Sequence, residues 1–188
     1  MTKRIASATH RRALFLLITM WLSGMVISAC SPVPETVSAS PQSGDTLVAT
    51  VLHVKDGDSL VIRLDGRDID IRLFGIDAPE KDQPHAVDAR RALERLVKRS
   101  TLTFSIRDKD RYDRLVAVAR SEYHTESINV QLVRLGYAWV YTRYTNDPAL
   151  LDAEQDARRH NRGLWRQPAA ERRPPWEWRN AKRRGGTQ

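Results

Sequence analysis

The chain has one cysteine among 188 residues, Cys30, so no internal disulfide can brace it. Its central part also lacks an excess of positive charge. Residues 30–157 hold 17 basic against 21 acidic residues, although the whole chain carries a formal +8. The basicity sits at the ends, with four basic residues and no acid in 1–29 and ten against two in 158–188. A generally polyanion-binding surface is therefore suggested only for the C-terminal end, where a solubilising basic tail is the alternative. Large apolar side chains are nearly missing from Ser31 to Asp45, which is rich in Ser, Pro, Thr and Gly. That composition excludes a packed core there and reads as a flexible tether. What remains is long enough for one domain with a real core plus appendages.

The N-terminus carries Lys3, Arg4, Arg11 and Arg12, then an apolar run from Ala13 to Ala29, then Cys30. This is the pattern of a secretory signal. Ile27-Ser-Ala-Cys30 resembles the bacterial lipobox, which implies cleavage before Cys30 and lipidation of its thiol. Several acyl chains would hold the protein stably on a membrane, and an uncleaved anchor helix is the alternative. Ser31 after the cysteine resembles the pattern for sorting to the outer membrane in a Gram-negative cell. The expectation is a lipid-anchored, extracytoplasmic protein of a bacterial envelope: signal peptide 1–29, tether 30–45, folded domain 46–166 and a Pro/Trp/Arg-rich tail 167–188.

Five runs of apolar and β-branched residues punctuated by turns predict strands at Leu47 to Val54, Ser59 to Leu64, Asp68 to Gly75, Thr101 to Ile106 and Leu115 to Arg120. Lys55-Asp-Gly-Asp58 and Leu64-Asp-Gly-Arg67 are hairpin signals, so the first three strands should form an antiparallel meander. Helices are predicted at Ala86 to Lys98, Ser127 to Gly136 and Pro148 to Arg159, the last with Asp147 as N-cap. The fold class is α+β, and five strands with a helix between the third and fourth match the OB-fold barrel. Beyond Trp165 the chain reads as irregular. Trp176 and Trp178 are expected to cap a core edge, and the residues from Lys182 to form a disordered end.

One stretch needs a chemical reason: Asp70-Ile-Arg-Leu-Phe-Gly-Ile-Asp-Ala-Pro-Glu80 ends an apolar strand in charge. Alternation puts Asp70, Arg72 and Phe74 on one face before Gly75 and Pro79 break the strand. In a meander the first hairpin and the end of the third strand fall at the same end of the sheet. Asp56, Asp58, Asp77 and Glu80 can therefore converge. Hard carboxylate oxygens without His or Cys suit Ca²⁺ or Mg²⁺ and argue against zinc. The alternative is that Asp56 and Asp58 merely serve the Asp-Gly turn. Arg72 inside a strand is expensive unless it faces a carboxylate or an anionic ligand, and Arg114 follows Asp110-Arg-Tyr-Asp113 at a strand start. Arginines aimed at a metal-bearing carboxylate cluster are the parts needed for phosphoryl transfer.

Asp56-Gly-Asp-Ser59, Ile71-Arg-Leu-Phe-Gly-Ile-Asp-Ala-Pro-Glu80, Asp110-Arg-Tyr-Asp-Arg114, Leu135-Gly-Tyr-Ala-Trp-Val-Tyr141 and Gly163-Leu-Trp165 together resemble the thermonuclease (staphylococcal nuclease-like) family. The resemblance runs from about Val48 to Trp165, and Pro174-Pro-Trp-Glu-Trp-Arg179 resembles a tail of bacterial members. It implies an OB-barrel with three helices. It also implies Asp58 and Asp77 as calcium ligands with the Ala78 backbone carbonyl as a third, and Asp56 as a supporting acid. Glu80 would activate or orient the attacking water, and Arg72 and Arg114 would clamp the phosphate. Tyr112 and Tyr141 would line the nucleotide pocket, with Arg111 in a phosphate-contacting position. Two residues depart from the family pattern: Asp113 stands where a glycine is usual, adding negative charge beside Arg114, and Ser59 replaces a threonine.

The function expected is a monomeric, Ca²⁺-dependent endonuclease, with Mg²⁺ the less suited metal. It would cleave DNA and RNA, favour single strands and leave 3′-phosphate and 5′-hydroxyl ends. The alternatives are a non-catalytic OB-fold module binding nucleic acid or glycan at the envelope, and a small lipoprotein whose charges are structural ion pairs.

Overall fold

A computed structural model of the protein describes residues 40–98 and 100–185. The signal segment, Cys30 and most of the tether lie outside the described residues. Five strands follow the predicted runs: β1 (Thr46–Val54), β2 (Ser59–Leu64), β3 (Arg67–Leu73), and beyond a helix two further long strands, Thr101–Lys109 and Leu115–Arg120. Between them lies a two-residue strand, β4 (Ile76–Asp77), which makes the later long strands β5 and β6. They close into a barrel of order β1-β2-β3-β6-β5, with β5 returning to β1. Alternation builds it: Leu102, Phe104 and Ile106 of β5 and Leu115, Ala117 and Ala119 of β6 point inward, while the residues between them face outward.

The predicted meander holds, with Ser59 opposite Arg72 across β2 and β3. Barrel closure requires β3 and β6 to run parallel, Ile71 opposite Leu115, a pairing that no turn signal announces. Bulges at Val51–His53 and Ile106–Asp108 give the curvature that closure needs.

The three predicted helices appear as α1 (Ala86–Val97), α2 (Ile128–Arg134) and α3 (Pro148–Arg159). Ser127 Oγ accepts from Val130 N to start α2, and Asp147 accepts from Ala149 N to start α3, whose first residue is proline. Helix α1 lays Ala89, Ala92, Leu93 and Val97 on the barrel. Buried Asn129 of α2 is a polar rivet: its amide donates to Phe74 O (2.9 Å) and accepts from Ala119 N (3.0 Å). It ties the end of β3 to β6 where the strands diverge.

Two boundaries differ from the sequence reading. The tether stops short of Asp45, because Gly44 N and Asp45 O pair with Ile106 and Ser43 Oγ donates to Arg107 O at 2.7 Å. Among the described residues the tail is not irregular throughout, nor is Lys182 in a disordered end. Pro175 opens a fourth helix, α4 (Pro175–Gly185), which contains Lys182. Proline suits a first helical position. The helix is held because Trp176 stacks on Tyr141 (5.0 Å, 6°) and meets Trp139 edge-on (6.1 Å), while Lys182 pairs with Asp82 at 2.6 Å. The capping expected of Trp176 is thus observed: it packs against a second apolar cluster of Trp139, Ala157, Leu164 and Trp165. Among the described residues, no helix is long and apolar enough to cross a membrane.

Candidate active site

The site is assembled where the β1–β2 hairpin meets the end of β3. Gly57 permits the approach, since a Cβ there would lie 2.6 Å from Ala78 Cβ and 2.7 Å from Ala89 Cβ. Asp56 caps the turn by accepting from Asp58 N at 3.1 Å, so its place is the supporting one. Asp58 is buried. Its Oδ2 accepts from Ala78 N (2.6 Å) and its Oδ1 from Ser59 Oγ (3.1 Å). Leu73 N donates to Asp58 O at 2.8 Å and locks the hairpin to the strand end.

Asp77 is only 1% exposed. It is placed by β4, which pairs with a second short strand, β7 (Trp139–Val140), with Asp77 opposite Trp139. Arg72 spans the two aspartates, with Nη1 2.5 Å from Asp58 Oδ2 and Nη2 donating to Asp77 Oδ1 at 2.9 Å. The first approach is close but off the N–H direction, so buried Nη1 makes no hydrogen bond among the described residues. Both arms of the guanidinium therefore lie against carboxylates, and Arg72 holds Asp58 and Asp77 to each other.

On the other flank, Arg114 is gripped by Asp110, Nε at 2.8 Å and Nη2 at 2.7 Å, and its Nη1 reaches Ser59 Oγ at 3.4 Å. Arg114 and Asp58 therefore share Ser59. The Tyr112 ring lies under Arg111 and Arg114, with centroids 4.8 and 5.6 Å from the guanidinium carbons, and is 65% exposed. Asp113 takes the left-handed conformation (φ 68°) in place of glycine, and its carboxylate goes to Lys109 at 2.6 Å. The charge expected beside Arg114 is thus turned aside.

The structure therefore brings Asp56, Asp58, Arg72, Asp77, Ala78 and Arg114 together, with Arg111 and Tyr112 adjoining through Arg114. Glu80 sits beyond Asp77, its side chain about one-third exposed (35%). Tyr141 is held by its backbone to Gly75 O (2.9 Å), but one face of its ring is covered by Trp176. One residue that the sequence reading missed joins the set. Arg179 of α4 donates to Glu80 Oε1 (2.5 Å), to Asp77 Oδ1 (3.2 Å) and to Asp77 Oδ2 (2.8 Å). Its signal was slight: it stands three residues after Trp176, on the same face of a helix that begins at Pro175.

Burial is the main cause that pushes the Asp58 carboxyl up to about 7, with Asp56 and Asp77 adding to it and Arg72 opposing. Burial also works against the charges of Arg72 and Arg179, but the carboxylates facing them outweigh it and both are held firmly protonated. Four carboxylates, Asp56, Asp58, Asp77 and Glu80, stand against two guanidiniums, Arg72 and Arg179, so the cluster is net negative even with Asp58 protonated. Among the described residues no three His, Cys, Asp or Glu side chains form a ready-made metal cluster. Two buried aspartates, Asp58 and Asp77, supply the hard oxygen donors that a divalent cation takes, and the positions around them are filled here by Arg72, Arg179 and the Ala78 N–H.

The closed five-stranded barrel thus gathers arginines and carboxylates at one strand end. The family described as staphylococcal nuclease homologue matches residues 70–167. An "Uncharacterized endonuclease" of Haemophilus influenzae is 34% identical over 167 residues, 87% of this chain and 84% of that protein. An "Uncharacterized endonuclease" of Escherichia coli O157:H7 is 37% identical over 134 residues (70% and 84%), and a "Micrococcal nuclease" of Shigella flexneri is 33% identical over 140 (70% and 79%). The chain belongs to the staphylococcal nuclease family.

Proposed function

We propose that the protein is a Ca²⁺-dependent endonuclease that hydrolyses phosphodiester bonds of DNA and RNA, favours single strands and leaves 3′-phosphate and 5′-hydroxyl ends. The observation that carries this reading is the convergence at one end of the barrel of Arg72, which bridges Asp58 and Asp77, with Arg114, which reaches Asp58 through Ser59. Asp58, Asp77 and the Ala78 carbonyl would hold the calcium ion, which when bound polarises a non-bridging phosphate oxygen. Arg72 and Arg114 approach the phosphate from two sides and neutralise the charge that grows as a fifth oxygen adds. Glu80 accepts a proton from the attacking water, whose oxygen forms the new bond to phosphorus. The P–O5′ bond breaks opposite, and the 5′-oxygen leaves with its electron pair and takes a proton from solvent. Exposed Tyr112, backed by Arg111, offers a stacking surface for an unpaired base.

The basic-then-apolar leader ending in Cys30 supports a lipid anchor that holds this domain at the bacterial envelope, on the outer membrane of a Gram-negative cell, with the enzyme acting as a monomer. The reading is tested by incubating purified protein with single- and double-stranded DNA and with RNA in Ca²⁺, Mg²⁺ or EDTA, followed by analysis of the product ends. Substrate left intact in Ca²⁺ overturns it.

A further inference from the structure

We infer that Arg179 of α4 is a positioning residue for the reaction: it holds the Glu80 carboxylate in place against Asp77, so that the C-terminal helix is part of the active site. The inference rests on the nuclease reading above. Glu80 is on a loop after Pro79, and a carboxylate at such a place keeps its rotamer freedom unless something fixes it. In this structure the group that fixes it is Arg179. One arm, Nη1, meets Glu80 Oε1 at 2.5 Å and Asp77 Oδ1 at 3.2 Å; the other, Nη2, meets Asp77 Oδ2 at 2.8 Å. Asp77 is itself immobilised by strand pairing and by Arg72. The planar fork thus transfers the rigidity of the barrel to a side chain that would otherwise swing, a task for which a lysine's single point charge is unsuited.

The alternative, a detachable basic latch that blocks the site, fits the structure less well. Helix α4 is anchored at several independent points besides Arg179. Trp176 stacks on Tyr141 and meets Trp139, Pro175 is buried, and Lys182 pairs with Asp82. The segment leading into it is pinned by Gln83 Nε2, which donates to Arg173 O at 2.7 Å, while Gln83 Oε1 accepts from Glu80 N at 3.2 Å. A single glutamine therefore joins the Glu80 backbone to the segment that carries its partner arginine. The approach by way of Tyr112 stays open, since that ring is largely exposed.

The test is a double-mutant cycle on the full-length protein, using Arg179→Gln, Arg179→Lys, Glu80→Gln and the pair Glu80→Gln/Arg179→Gln. A single-stranded DNA oligonucleotide in saturating Ca²⁺ is the substrate. Terbium(III) luminescence reads the metal site without substrate, and thermal melts read the fold. For Arg179→Gln the expected result is a fall in kcat of about 10–100-fold, with KM within about threefold of the parent protein and terbium affinity unchanged or raised, since Asp77 loses a competing cation. Arg179→Lys should recover part of the loss, and Arg179→Gln should add nothing further once Glu80 is already Gln. A rise in kcat on losing Arg179 overturns the inference in favour of a latch. Losses that multiply in the double variant overturn it, as does a parallel collapse of melting temperature and terbium affinity in both the Lys and Gln variants. An inactive parent protein that still binds terbium removes the nuclease reading, and the positioning role falls with it.

Discussion

The Asp113 carboxylate pairs with Lys109 at 2.6 Å, while its chain neighbour Arg114 pairs with Asp110 at 2.7 Å. The backbone at Asp113 is left-handed, φ 68°, and Asp accepts that conformation better than most residues. Arg114 keeps its own partner, Asp110. Replacing Asp113 by Gly should therefore change kcat/KM by less than about threefold and stability by under about 1 kcal/mol, since relief of backbone strain and added freedom of the unfolded chain oppose each other. Steady-state kinetics and a thermal melt check this. A tenfold gain in rate would mean that the Asp113 charge does reach the phosphate.

Gly57 has no room for a side chain against Ala78 and Ala89. Gly57→Ala should destabilise the fold by about 1–3 kcal/mol through overpacking. Because the displaced hairpin carries Asp58, the variant should also weaken calcium binding more than a stability-matched core variant such as Leu132→Ala in α2. Calorimetric titration of both variants with Ca²⁺ separates the two effects.

Asp58 links the metal site to pH. A carboxyl whose folded pKa is raised favours the folded state in its protonated form. That contribution is complete below the ordinary 3.8 and is lost as the pH rises through about 7. In EDTA, the melting temperature of the parent protein should therefore drop between pH 5.5 and 8 relative to an Asp58→Asn variant, and added Ca²⁺ should restore it at pH 8. Calcium must displace the same proton, so apparent affinity should fall about tenfold per pH unit below 7. Titrations at pH 5.5, 6.5 and 7.5 measure this. A flat profile would mean that Asp58 stays ionised throughout.

The barrel strands and three of the helices were legible because each has a clear period and a turn or cap at its end: the Asp-Gly hairpins, Ser127, and Asp147 before Pro148. The parallel closure of β3 on β6 was not, because it joins strands about forty residues apart through side chains that read as ordinary alternation. Arg72 stood out in the sequence as a charge within a strand. Arg179 stood only as the last residue of the Pro174–Arg179 tail pattern with no role attached, because Pro174-Pro175 reads as a break until Trp176 is seen stacked on Tyr141. Asp113 was legible as a departure from the family pattern, but the role of Lys109 as its partner depends on β5 extending past Ile106 to Lys109, beyond the predicted strand end.

The central claim is that the acids and arginines around Asp58 and Asp77 perform hydrolysis and do not merely bind a strand. The most direct measurement compares the parent protein with Glu80→Gln on single-stranded DNA in Ca²⁺, following single-turnover cleavage and, by fluorescence anisotropy, binding of the same oligonucleotide. Cleavage should fall at least about 100-fold while the dissociation constant stays within about threefold, as for loss of a group that acts mainly in the transition state. Equal cleavage by both proteins, or no cleavage by the parent despite tight binding, would contradict the account.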